Sequence, residues 1–456
     1  MKTTKLVLGL ALIIIAVCIG ANGVYIGATD DAPGASAAGI LLTIAGVALG
    51  VKIARNRLPV WAVRSAFVVA VVVAALAGFL AYETAGRVPL HAQADRVPSV
   101  SGAGVPPRWS VAVNQARSRV REHLREQNLP GLSVAVGIGR DVVWAEGFGW
   151  SDVEAQVPVT PTTRFRIGTA SAMLTAAAAG LLLDEDRLSL DEQIQTYVPE
   201  FPKGQSTVTL RQLMGPVTGT DADALDDSPL SRQRCARPAD AVPLFANNAS
   251  PYGWVLVSAA IEGAADQPFL GFMRDRVFEP LAMANTGAES TTEENPEAIG
   301  EPAEDPPPFT LIRRLVFEPI GLGKTTPRTA MDIATVYVPR DSTDPRGGRR
   351  TMRLGNLSCY AGAMAFYSTP SDLVRFGLAI NSGTLLQPAT VQEFPASARL
   401  TSGQSHEGTL LGGTVASVLD VPASGIVVAV VSNTSHTDTS AIARSVAESF
   451  GTSAGR

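Results

Sequence analysis

Pro130–Asp152 reads PGLSVAVGIGRDVVWAEGFGWSD, and within it Leu132–Ile138 and Val142–Phe148 are β-rich runs parted by Gly139-Arg140-Asp141. Two such runs around a glycine-containing turn form a hairpin. Near the other chain end, Gly413–Val421 and Gly425–Ser432 repeat the pattern, followed by a helix from about Thr439 to Phe450. The expected core is therefore an antiparallel sheet built from both ends of one domain. Apolar residues at helical spacing predict a first helix over Ala112–Gln127, ending before Asn128-Leu129-Pro130. The middle is mostly helical, with expected helices over Ala170–Leu183, Leu210–Met214, Gly253–Ala264, Phe269–Val277 and Pro370–Asn381. A sheet with a helical insertion is an α+β layout. Acidic Asp221–Ser228 and Glu289–Pro308, dense in Glu and Pro, read as exposed loops.

The 456 residues are 46% hydrophobic and 17% charged, a composition that excludes disorder as the main theme and allows about three units. A formal net charge of -5 supplies no basic field for a phosphate backbone, so no nucleic-acid partner is expected. Mean hydropathy is positive despite 42 Gly and 31 Pro, and the apolar excess sits at the N-terminus. Residues 6–26, 32–51 and 65–82 are uncharged and long enough to cross a bilayer. Lys2 and Lys5 precede the first run, Asp30 and Asp31 follow it, and Lys52, Arg55, Arg57 and Arg64 separate the second from the third. Positive charge stays inside, so the N-terminus is expected in the cytoplasm and everything after Tyr82 outside. The expected organisation is a membrane domain of three transmembrane helices over 1–83, a linker over 84–107 rich in Pro, Ala, Gly, Ser and Val, and an extracytoplasmic domain over 108–456.

Cys18 lies in the first apolar run, whereas Cys235 and Cys359 lie beyond the third, where an oxidising compartment leaves them free to pair. Two buried free thiols are the alternative. His91, His123, His406 and His436 show no metal-ligand spacing, so no metal site is expected. A Ser-His-Asp arrangement around His436 in SNTSHTDTS is the competing catalytic reading, against the commoner case of an exposed loop histidine.

The phrases PGLSVAV, EGFGWSD, PVTPTTRFRIGTAS, RLSLDEQIQTYVPEFP, VTLRQLM, SPYGWVLVSAAIE, FMRDRVFEPLAM, FYSTPSDLVRFGLAINSGTLLQP and IVVAVVSN span nearly all of Trp109–Phe450. Together they resemble the serine β-lactamase-like family, which includes class C β-lactamases, penicillin-binding proteins and D-alanyl-D-alanine peptidases. The resemblance implies a β-lactamase/transpeptidase-like α+β fold, no cofactor, and amide or ester hydrolysis on peptidoglycan-like or β-lactam substrates.

That chemistry pairs a serine nucleophile with a lysine three residues on, because i and i+3 face the same way on a helix. Here Thr169 stands at the nucleophile position and Ala172 at the lysine position. The Tyr-x-Asn box falls on Ala249 and Pro251, just before Tyr252-Gly253-Trp254. The polar His-Thr-Ser-Gly marker is replaced by Pro216-Val217-Thr218-Gly219. The third box, whose strand walls the site, is partly kept as His406-Glu407-Gly408, without the usual strand before it. Shifting the nucleophile to Ser171 would rotate the side chain by about 200°, so Ser171 reads as a helix-packing residue. Losing a nucleophile or its base costs about 10⁴ to 10⁶ in rate, so the expected activity is weak or lost. The alternative is a non-catalytic protein that holds a cell-wall peptide or a partner in the same cleft.

Overall fold

The computed structural model describes residues 90–91, 93–102, 104–202, 208–215, 230, 233–245, 253–288, 333–338, 350–351, 357–395, 398, 405–410, 414–421, 425–434 and 437–454, with scattered residues between 13 and 53. The chain divides into two units, Met1–Pro89 and Leu90–Arg456. The expected span at 65–82 and the loops at 221–228 and 289–308 lie outside the described residues, as do most residues of the spans at 6–26 and 32–51. Among the described residues, no helix is long and apolar enough to cross a membrane.

The second unit is built on a seven-stranded antiparallel sheet. Its strands are β1 (Ser99–Ser101), β2 (Gly131–Ile138), β3 (Asp141–Asp152), β4 (Val157–Pro158), β10 (Ser405–Leu410), β11 (Thr414–Val421) and β12 (Ile426–Ser432). They run in the order β1-β3-β2-β12-β11-β10, with β4 on β3. Pairing of β12 with β2, Val430 opposite Val134, joins the two terminal hairpins into one sheet. A smaller sheet orders β5 (Phe165–Arg166), β9 (Phe366–Ser368) and β6 (Gly287–Ala288) as β5-β9-β6, and β7 (Tyr337–Val338) pairs with β8 (Arg350–Thr351).

The helices are α1 (Ser110–Glu126), α2 (Ser171–Asp184), α3 (Leu210–Leu213), α4 (Gly253–Ala265), α5 (Phe269–Met273), α6 (Ala361–Met364), α7 (Pro370–Asn381), α8 (Pro388–Glu393) and α9 (Thr439–Ala454). The expected helix Phe269–Val277 is split: α5 gives way to a π turn over Arg274–Phe278. Propensity does not register such a one-residue change of winding.

Alternation along β2 sends Leu132, Val134 and Val136 to one face, where they pack with Val428, Val430, Trp144 and Phe148 against α1 and α9. Ala135, Ala416, Val418, Val427, Ala429 and Val431 join the other cluster, shared with α2, α4 and α7. Strands covered on both faces read as near-continuous apolar runs, which is why β12 is IVVAVVS. The face under α1 carries one charge: Glu146 is fully buried, and Arg117 Nε and Nη2 donate to its two oxygens at 2.9 and 2.8 Å, Trp144 Nε1 at 3.1 Å. Burial alone would raise this carboxyl, but the Arg117 and Trp144 donors hold it below the usual carboxylate range.

The linker expected over 84–107 is corrected from Leu90 onward. Ser99–Ser101 pair with Glu146–Phe148 as the edge strand β1, Val97 is 2% exposed in the α1 core, and Leu90 N donates to Asn128 Oδ1 at 2.6 Å. Buried His91 sets Nε2 3.1 Å from Leu129 O. A three-residue edge strand has too few alternating residues to show a period, so Pro and Ser dominate the reading.

Candidate functional site

The polypeptide enters the site along β5, where Phe165 is opposite Ser368 and Arg166 opposite Tyr367. Ile167 N continues the ladder by donating to Phe366 O at 3.0 Å. Gly168 then takes φ +53, a conformation that costs glycine nothing and other residues a good deal, and the chain turns through Gly168–Ala170 into α2. The turn packs against β10, β11 and α6.

α2 is apolar and buried around its whole circumference, so it is a core helix and not an amphipathic surface one. From Ile167 to Gly180, Thr169 is the one residue that is not buried. The fold thus presents this side chain from an otherwise sealed segment. Ala172, three residues on, is 8% exposed and carries no ionisable group.

Ser171 between them is fully buried, its Oγ accepting Phe366 N–H at 3.2 Å and its carbonyl accepting the Thr175 hydroxyl at 3.2 Å. That is the packing role expected of it.

On the facing wall, β10 sets His406 opposite Val418 and Gly408 opposite Ala416. Ala416 and Val418 belong to the same buried cluster as Ala170 and Ala172. The third-box strand and the Thr169 turn are therefore neighbours, and β10 ends the sheet on this side among the described residues. Ala249 and Pro251 lie outside the described residues, as do Pro216–Gly219 and His436. The glycine and aromatic that follow the second box open α4. A Cβ on Gly253 would meet Leu213 O at 2.2 Å, and Trp254 Nε1 donates to Gly215 O at 3.0 Å.

From Leu90 on, the chain has two lysines, Lys203 and Lys324, both outside the described residues. Cys235 and Cys359 are joined by a disulfide across 124 residues, with Cα atoms 4.8 Å apart. Sequence reasoning missed Gly168. Its signal was present in the Ile-Gly-Thr succession at a strand-to-helix turn.

Chemically, the site offers the secondary hydroxyl of a partly buried threonine at the start of a buried helix, beside a sheet-edge strand. Attack on a carbonyl from such a hydroxyl requires a proton acceptor within about 3 Å, and residue 172 supplies none.

Several solved structures share the fold. A D-amino acid amidase from Ochrobactrum anthropi has TM-score 0.54 at 20% identity, over 75% of this chain and 99% of that one. The octameric penicillin-binding protein homologue from Pyrococcus abyssi has TM-score 0.53 at 19% identity, covering 75% and 77%. A class C beta-lactamase has TM-score 0.53 at 15% identity, covering 76% and 98%. Among curated proteins, the mouse mitochondrial serine beta-lactamase-like protein LACTB is 36% identical over 116 residues, 24% of this chain and 21% of that protein. The putative penicillin-binding protein PbpX of Bacillus subtilis is 27% identical over 192 residues, 40% of this chain and 47% of its own length. The matches thus span about a fifth to a half of these curated relatives. The Beta-lactamase family model matches residues 116–449, from inside α1 to inside α9. With every strand of the large sheet but β1, the core helix and the Thr169 turn inside that match, this chain belongs to the beta-lactamase family.

Proposed function

We propose that this chain is a membrane-anchored, extracytoplasmic beta-lactamase-related protein. In this reading its cleft, between the Thr169 turn and β10, engages amide or ester ligands of the peptidoglycan or β-lactam kind. Thr169 stands at the attacking position, His406 and Gly408 line the facing strand, and acyl transfer is weak or lost. The observation that carries the reading is Ala172, buried on the first turn of α2 where relatives in the family place the base. Without that amine residue 172 cannot take the proton of the attacking hydroxyl as the family's base does, and the acyl–oxygen bond forms slowly if at all. Ala249 and Pro251 at the second box favour the binding-only alternative, in which the cleft holds a cell-wall peptide or partner. The anchoring part rests on the uncharged runs at 6–26, 32–51 and 65–82 and the Lys and Arg residues between them.

The test is capture of a fluorescent penicillin by the full chain in detergent, read by intact mass. A slow covalent adduct that Thr169→Val abolishes supports residual acyl transfer. Saturable, non-covalent binding supports the binding-only form. Turnover at the rate of a working hydrolase would sink the proposal. Protease accessibility of the 108–456 region in membrane vesicles of known orientation tests the topology, and cleavage from the cytoplasmic side overturns it.

A further inference from the structure

The segment directly beneath the Thr169 turn is unusually constrained. α6 packs against the turn Gly168–Ala170, against α2 and against α4. Its first residue, Ala361, takes φ +38 and ψ -129, a region that non-glycine residues rarely adopt. Such a conformation persists only when the surroundings over-determine it. They do so here from three sides. The Thr175 hydroxyl of α2 donates to Gly362 O at 2.9 Å, and Gly362 N donates to the Ser258 hydroxyl of α4 at 3.2 Å. Nothing larger than glycine fits between them, since a Cβ on Gly362 would meet Thr175 Oγ1 at 2.1 Å. The third side is covalent: Cys359, two residues before Ala361, is bonded to Cys235, whose N–H donates to the Ser358 hydroxyl at 3.1 Å.

Cys235 leads into the 3-10 segment Pro238–Phe245, which packs on α4 and runs in sequence into Ala249 and Pro251. One covalent bond therefore ties the approach to the second box to the element supporting the nucleophile turn.

We propose that the Cys235–Cys359 disulfide is a redox-set tether that holds α6 beneath the Thr169 turn, so that reduction loosens the turn while the sheet stays folded. The functional weight of this rests on the turn being the ligand-engaging wall; the mechanical coupling does not. In the reduced state Ala361 relaxes toward an ordinary backbone conformation, and α6 withdraws its support from Gly168–Ala170. The chemistry balances with a dithiol reductant. Two electrons and two protons convert the S–S bond into two thiols, and the reductant closes to its own disulfide. Both cysteines are buried, at 3% and 0% exposed, so reduction proceeds through local opening of this segment.

The test is hydrogen–deuterium exchange of the full chain in detergent, before and after dithiothreitol, with thiols counted by mass. The expected result is exchange about tenfold or more faster at 168–175 and 361–365, with 426–432 unchanged. The double variant Cys235→Ala/Cys359→Ala is expected to show the reduced pattern with or without reductant. Acceleration confined to 233–240 and 357–360 overturns the tether. So does simultaneous loss of protection across the whole domain, since the disulfide would then be only a staple of the fold. Penicillin capture is scored separately. Absence of both adduct and saturable binding in both redox states sinks the functional reading and leaves the exchange result to decide the coupling.

Discussion

Ser171 and Ala172, neighbours on the first turn of α2, bear on different properties of the protein. Phe366 N–H depends on the Ser171 hydroxyl in a fully buried place, so Ser171→Ala leaves a buried donor without its acceptor. The expected cost is about 1–3 kcal/mol, read as a lower urea midpoint, with penicillin capture unchanged at saturating folded protein. A large loss of capture with normal stability would instead make Ser171 a participant in the chemistry. Ala172→Lys does the reverse. It restores an amine at i+3 from Thr169, and the expected gain in adduct formation is on the order of 10²-fold, because the tyrosine of the second box is still missing. The gain must disappear in Thr169→Val/Ala172→Lys. Unchanged adduct formation in a folded Ala172→Lys protein would mean that the missing lysine does not limit attack at residue 169.

Among the elements, α1 shows how a single pair fixes a helix on a sheet. Arg117 reaches from α1 to Glu146 on β3, and the carboxylate is fully buried while the guanidinium is 25% exposed. Arg117→Ala strands that charge, with an expected loss of about 3 kcal/mol, measured by denaturant unfolding; a loss below half of that would show the carboxylate finding other partners. The folded carboxyl sits below its unfolded range, so the pair's contribution is present above the unfolded value and fades as pH falls through the folded one. Asp372 opposes this. Burial pushes its carboxyl up despite donors from Asn285, Thr286 and Arg375, so its share of stability is lost as pH rises. Acid unfolding of the wild type should therefore be shallower than that of Asp372→Asn, in which residue 372 no longer opposes the Glu146 dependence. The hairpins and α2 were legible in the sequence because β-branched runs broken by glycine-containing turns, and one long Ala- and Leu-rich apolar run, are local signals. β1 and the π turn were not, since one is set by the partner strand and the other by packing under Phe366. At the site, Thr169 and Ala172 were legible because i and i+3 share a helix. The proximity of β10 was implied by the family resemblance alone, because about 240 residues separate it from the turn and only the sheet order brings them together.

At the scale of the whole molecule, the boundary between units falls at Pro89–Leu90 and not near residue 108. The difference is energetic as well as topological. Residues 90–107 bury Val97 and His91 against the α1 side of the sheet, pair three residues with β3, and tie Leu90 to Asn128. A chain beginning at Leu90 keeps all of this and is expected to unfold in one cooperative transition without detergent. A chain beginning at Arg108 loses an apolar side chain, several hydrogen bonds and the cover on the β3 edge, together on the order of 3 kcal/mol. It also exposes Glu146–Phe148 as a bare strand edge, which invites intermolecular pairing. Urea midpoints and light scattering of the two chains check this. Equal midpoints and equal monodispersity would place β1 outside the cooperative unit and return residues 90–107 to the status of a linker.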